Sequence, residues 1–200
     1  MLKWIWLALL LWASPSFALD LTELGAANLS YPTHQSQSDS SIQNSPALTF
    51  GGGISLGIGI WERLEVELGI IYIPKAFDET RALAPSTHYT LTTVQFPLIL
   101  RYWLSDRISF GGGFYLIHGV GNIIVSQGAQ SAAVAYSDLS WAMDDVGVVA
   151  SFRYKTPISE LISIVFDERI SIGTSNLDTS QTQNFTFRDL QSWFGIAFIL

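Results

Sequence analysis

The 200-residue sequence contains no cysteine. Disulfide staples and thiolate metal sites are therefore excluded. Charge is scarce: Asp, Glu, Lys and Arg make up 14% of residues, where a soluble domain carries about a quarter. Positive charge is scarcer still, with 10 Lys and Arg against 17 Asp and Glu, which argues against nucleic acid as a partner. Beyond residue 20 no apolar run approaches the ~18 residues that a transmembrane helix needs. Yet 48% of the chain is hydrophobic, so its apolar residues must follow some other pattern.

The one long apolar run lies at the start. Lys3 precedes an apolar core over residues 4–13, and Ser16-Phe17-Ala18 is a small-x-small sequence. This pattern predicts a secretory signal peptide, residues 1–18, cut after Ala18; as a permanent anchor the apolar core is too short. Residues 19–200 fit a single domain. Removing the peptide costs Lys3 and no acid, which leaves 9 basic against 17 acidic residues and a net charge of −8.

The remaining apolar residues alternate. Leu48, Phe50, Ile54, Leu56, Ile58 and Ile60 share one phase; Thr49, Gly51, Gly53, Ser55, Gly57 and Gly59 share the other. After Trp61-Glu62-Arg63, alternation resumes with Leu64, Val66, Leu68, Ile70 and Tyr72 opposite Glu65, Glu67 and Gly69. Period-two alternation over about ten residues marks a strand with two unlike faces, and the three-residue break makes a hairpin. Similar strands are predicted over 94–103, 108–119, 141–154, 160–172 and 185–200, with a weak first strand over 21–31 whose pairing the pattern leaves open. The total is eight. Short turns at 61–63, 104–107 and 155–159 alternate with long polar loops at 32–47, 75–88, 120–138 and 173–184.

Short turns at one end and long loops at the other, with an even strand number, describe an all-β, transmembrane, antiparallel up-and-down barrel of eight strands in a bacterial outer membrane. A soluble barrel would put the apolar phase inside and leave a Gly- and Ser-rich surface with few charges, which is poorly soluble. The reverse assignment, apolar phase to lipid and glycines to the bore, is the expectation. Trp61, Tyr102, Trp103 and Tyr154 would then form a periplasmic aromatic belt, and Tyr72, Tyr89, Trp141 and Trp193 an outer one; Trp103 and Trp193 fall on the inward phase, where the alternative is that they plug the barrel mouths.

The order of segments resembles the PorT-like outer-membrane β-barrel family. The features that carry it are Gly25 to Ser30, a polar loop, a glycine-alternating strand, Leu64 to Tyr72 around Glu67-Leu68, and Phe96-Pro97-Leu98 leading to Arg101-Tyr102. The chain departs from the usual C-terminal aromatic, ending on Leu200 with Phe198 nearby. The resemblance implies a fold and a compartment. It implies no reaction.

Two constellations stand out. Glu65, Glu67, Arg101, Asp145, Arg153, Asp167 and Arg169 fall on the inward phase. Unpaired charges there are costly, so they are expected to pair into a plug that closes the bore; a narrow gated ion path is the alternative. His118, Asp144 and Glu168 fall on the lipid phase of three consecutive strands, all expected near the outer rim beside lipopolysaccharide headgroups. A third reading makes that group a lipid-modifying site, with His118 as base and Ser140 as nucleophile. His34 and His88 are read as solvated. Gly51-Gly52-Gly53 and Gly111-Gly112-Gly113 lack a following Lys-Ser/Thr and are not phosphate loops.

The function expected is a monomeric outer-membrane barrel with a structural or surface-interaction role carried by its outer loops, without enzymatic activity, metal or cofactor. Its expected partners are outer-membrane lipid and lipopolysaccharide, the barrel assembly machinery, and an extracellular partner the sequence does not name.

Overall fold

The computed structural model describes residues 19–35, 43–81, 85–180 and 184–200; the signal-peptide segment lies outside them. Eight antiparallel strands close a barrel: β1 (Leu19–Gln35), β2 (Gln43–Trp61), β3 (Leu64–Tyr72), β6 (Thr93–Trp103), β7 (Ile108–Gly119), β10 (Asp144–Pro157), β11 (Ile162–Gly173) and β12 (Asn184–Ile199). Their order round the wall is β1-β12-β11-β10-β7-β6-β3-β2, and β2 pairs back onto β1 to close the ring. The first strand is therefore fully paired, Asp20 opposite both Ile199 and Gly57. Its poor alternation has a physical reason: its lipid phase carries Gly25 and Ala27, and its lumen phase Leu24 and Ala26.

The two phases separate as expected. Leu48, Phe50, Leu68, Phe114 and Phe194 are exposed on the outside, while Glu67, Ser109, Ser163 and Ser171 are buried inside. A continuous exposed apolar band of this kind is stable only against lipid. Glycines allow close approach of neighbouring strands. A Cβ at Gly53 would lie 2.8 Å from the Ile71 Cα, and one at Gly113 would lie 2.8 Å from the Ile99 Cα.

The long loops depart most from expectation. The segment 75–88, read as polar loop, holds β4 (Lys75–Thr80) and the start of β5 (Thr87–Leu91). The segment 120–138 holds β8 (Ile123–Gln127) and β9 (Gln130–Val134), joined at Gly128-Ala129 with Gly128 at φ 58°, followed by a 3₁₀ turn at Tyr136–Leu139. A two-residue hairpin turn requires such a left-handed backbone, which glycine supplies without strain. These strands extend the sheet from the outer part of β2 in the order β2-β4-β5-β8-β9. Pro74 lies between β3 and β4 and has no N–H to donate to a ladder. Its carbonyl instead accepts from Asn28 Nδ2 at 3.1 Å and Thr49 Oγ1 at 2.5 Å. The ends of loop 32–47 belong to β1 and β2; residues 36–42 lie outside the described part.

An aromatic lid covers the outer mouth. Phe77 packs on Tyr89, Trp141, Phe185 and Phe187, with ring centroids 5.0 to 6.1 Å apart. Tyr89 and Trp141 therefore belong to this lid and not to a membrane belt. Trp193 follows its inward phase and is fully buried inside the barrel, and Trp103 likewise turns its indole N–H inward to Glu65. Tyr72 is exposed on the lipid phase as expected, and Tyr31 joins it there.

Candidate functional site

Position along β12 orders the lumen. Its inward side chains, two residues apart, are Trp193, Gln191, Asp189, Phe187 and Phe185. They run from mid-barrel to the lid, and each meets a different layer.

Mid-barrel holds a network of paired charges. Arg101 Nη2 donates to Glu67 Oε2 at 2.7 Å and to Asp167 Oδ2 at 3.1 Å, and its Nη1 donates to Ser109 Oγ at 3.3 Å. Arg153 donates through Nε and Nη2 to Asp167 Oδ2 at 3.0 and 2.8 Å, and its Nη2 lies 2.8 Å from Glu67 Oε2. Arg169 Nη2 donates to Glu67 Oε1 at 2.6 Å and to Asp167 Oδ2 at 2.9 Å. Glu65 sits at the margin, 3.8 Å from Arg101 and 3.9 Å from Arg153, and takes the Trp103 indole N–H at 3.0 Å. The indole of Trp193 lies 5.5 Å from the Arg169 guanidinium. Because β3 and β11 are on different sides of the ring, the Arg169–Glu67 bond crosses the bore. All five central side chains are at most 2% exposed.

The structure thus brings six of the seven predicted lumen charges together and leaves out Asp145, which lies nearer the outer mouth among Lys75, Thr93 and Tyr136. In this network three arginines face three acids. Desolvating six charges is costly, and only dense mutual pairing offsets it.

The lumen contains further charges outside the alternating strand segments. On the periplasmic side Lys155 pairs with Asp20 across the bore. Above the plug Gln191 bonds Gln95 at 3.2 Å. Higher still, Lys75 donates to Asp189 at 2.7 Å and lies 4.5 Å from the centroid of Phe187. Asp189 and Gln191 share one phase of the last strand, a pattern visible in the sequence. Lys75 and Lys155 fall in an expected loop and turn, where alternation gives no face to a side chain.

The rim group divides. His118 Nδ1 lies 2.6 Å from Asp144 Oδ1, the two being cross-strand partners. Glu168 is elsewhere: it opposes Phe152 and Ser192. Phe152 is eight positions along β10 from Asp144, about 26 Å at ~3.3 Å per residue. Glu168 therefore faces outward near mid-height, its carboxylate accepting from Ser192 Oγ at 3.0 Å. The rim placement was wrong because phase alone does not give height; the β10–β11 register does. Among the described residues no hydrogen bond joins Ser140 to His118; the Ser140 carbonyl accepts from Thr179. His88 is half-exposed and bonded, with Nδ1 2.7 Å from Asp78 and Nε2 3.2 Å from Thr90 Oγ1. The side chain of His34 lies outside the described residues.

In the lid, burial pushes the Tyr136 phenol up to about 12. Burial, reinforced by Glu79, also raises that of Tyr89.

The fold has solved counterparts. Ail, the attachment invasion locus protein of Yersinia pestis, in complex with the heparin analogue sucrose octasulfate, superposes with a TM-score of 0.51 at 9% identity, covering 92% of this chain and all of that one. Neisserial surface protein A gives 0.53 at 13% identity, covering 91% and 97%. No protein-family model matches the sequence, the PorT-like one included, and no curated protein matches it. The chain has the fold of an outer-membrane β-barrel.

Proposed function

We propose that this protein is a closed outer-membrane barrel that anchors an extracellular sheet, with a structural or surface-interaction role and no conducting path. The observation that carries this reading is the plug: Glu67 and Asp167, held by Arg101, Arg153 and Arg169, fill the bore from β3 to β11. An eight-strand barrel has an interior only wide enough for side chains, and here those side chains are bonded to one another. The aromatic lid adds a second barrier. The sheet β4, β5, β8 and β9 supports an interaction role, since it projects beyond the membrane-spanning part and ends on the exposed strand β9. The PorT-like order of segments belongs to this reading.

The partner's chemistry is constrained by charge. The Yersinia barrel was crystallised with a heparin analogue. This chain, with 10 basic against 17 acidic residues, suits a neutral or basic partner and not a sulfated one.

Planar-bilayer recording tests the closed bore. The purified barrel should show no steady single-channel conductance; a steady conductance that changes on Arg101→Ala overturns the proposal in favour of a narrow channel. An epitope inserted between Gly128 and Ala129 should bind antibody on intact cells, and protection of that tag until lysis would defeat the outward orientation. Heparin beads should not retain the protein at physiological salt.

A further inference from the structure

A groove of about 550 Å³ lies on the lipid face of the wall over β1, lined by Glu23, Gly25, Ile54, Phe194 and Ile196 among others. Glu23 and Gly25 are exposed on the lipid phase of β1. Ile54 on β2 and Ile196 on β12 are the cross-strand partners of Glu23, and Gly52 and Phe194 are those of Gly25. The exposed side chains of Ile54, Phe194 and Ile196 stand as walls, and the backbone at Gly25, with Gly53 and Gly195 beside it, is the floor. Two residues further along β1, Ala27 keeps the floor low between Phe50 and Ser192. β2 and β12 are two strand spacings apart, about 9–10 Å, which leaves room for one hydrocarbon chain between their side chains.

Packing within the wall does not require glycine at position 25. A Cβ there would meet only the Phe194 carbonyl oxygen, at an ordinary 3.9 Å, whereas one at Gly53 or Gly195 would run into the backbone of a neighbouring strand. The missing side chain therefore serves the outside of the wall, where its absence opens the groove.

Charge indicates what fills it. Among the described residues the Glu23 carboxylate has no hydrogen-bond or ion-pair partner, in contrast to Glu168, which accepts from Ser192. Its height follows from pairing. One row runs Ile164, Ile196, Glu23, Ile54 across β11, β12, β1 and β2, and Ile164 is two residues from the periplasmic start of β11. Glu23 therefore lies in the periplasmic half of the wall, where the cations at hand are those of lipid headgroups. An unpaired carboxylate at an apolar surface is costly until a counter-charge meets it. A primary ammonium brings both the charge and N–H donors; a trimethylated ammonium has no N–H, and an anionic headgroup is repelled. A second copy related by a two-fold axis along the membrane normal would bring Glu23 toward its own mate at the same height, like charge against like.

We propose that this groove binds one glycerophospholipid of the periplasmic leaflet that carries a primary ammonium headgroup. Glu23 accepts from the ammonium, and one acyl chain lies along β1 over Gly25 and Ala27. The lipid covers the junction of the first and last strands, β1 and β12. The site is on the outside of the wall and does not depend on whether the bore conducts.

Native mass spectrometry of the full-length barrel tests this, with the protein released from detergent micelles that hold equal amounts of phosphatidylethanolamine, phosphatidylcholine and phosphatidylglycerol. The wild type should retain one ethanolamine lipid, preferred over each of the others by at least about tenfold, the worth of a hydrogen bond to a charged group. Glu23→Gln should retain lipid without that preference. Gly25→Leu fills the groove at a point where a Cβ has space, and should retain little lipid of any kind. Both variants should fold, shown by their mobility shift on unheated gels. No headgroup preference in the wild type, the same preference in Glu23→Gln, or undiminished retention by Gly25→Leu overturns the proposal. So does a retained dimer that Gly25→Leu disrupts, which would assign the groove to a second copy.

Discussion

Arg169 carries the bond that crosses the bore, and its removal tests how the mid-barrel charges are held. With Arg169→Ala, Glu67 and Asp167 lose a buried counter-charge, and breaking one partner of a buried pair costs about 3–5 kcal/mol. Urea unfolding in lipid vesicles should show that loss, and Glu67→Gln combined with Arg169→Ala should recover part of it, since both charges then leave together. Outside the wall the sign reverses. Glu168 faces lipid near mid-height, and among the described residues Ser192 is its hydrogen-bond partner. Glu168→Leu should stabilise the barrel by about 1 kcal/mol, because an acid on the lipid face is unfavourable at this depth; a destabilised variant would mean that a partner meets Glu168 in the membrane. In the lid, the Tyr136 phenol ionises near 12 when folded and near 10.0 when unfolded. A raised folded value means that its stabilising contribution is complete below pH 10 and is lost between pH 10 and 12. Lid stability, followed by tyrosine absorbance and tryptophan fluorescence, should fall over that window, and Tyr136→Phe should flatten it.

The strands differ in how they hold their neighbours. β6 and β7 meet where Gly113 leaves room for the backbone of Leu98 and Ile99. Gly113→Val should push the two strands apart and cost at least about 2 kcal/mol, read as a lower urea midpoint; Val at Gly121, where a Cβ meets nothing but the backbone is at φ 72°, should cost less. The outer hairpins add to the barrel without closing it. Only β2 among barrel strands pairs with them, so replacing residues 123–134 by a short linker should leave the barrel's heat-dependent gel mobility intact. The lid would lose Ile123 from its core and Val125 from its margin.

Across the whole molecule, charge is sorted by layer. Five of the basic residues, Lys75, Arg101, Arg153, Lys155 and Arg169, are in the lumen, each bonded to an acid there. The acids they leave behind, such as Asp78, Asp138 and Asp144, are on the outer end. The molecule therefore presents an acidic outer end above a nearly neutral bore. That distribution suits a closed anchor better than a conduit, whose bore would need a charged path left free.

Much of this was legible in the residues. Period-two alternation separates two environments whatever lies beyond the strand, so the barrel, its lipid phase and the inward set Glu65, Glu67, Arg101, Arg153, Asp167 and Arg169 follow from local pattern. Height does not follow, because shear between strands is a property of pairing; this is why Asp145 and Glu168 were placed with groups they do not join. Hairpins in the loops were also hidden, since β4, β5, β8 and β9 are five or six residues long and rest on long-range contact with β2 and the lid more than on their own sequence. The small chamber between plug and lid is the extreme case. Lys75, Thr93, Tyr136, Asp145 and Phe187 lie on five separate stretches of the chain, and only closure of the wall brings them to one place.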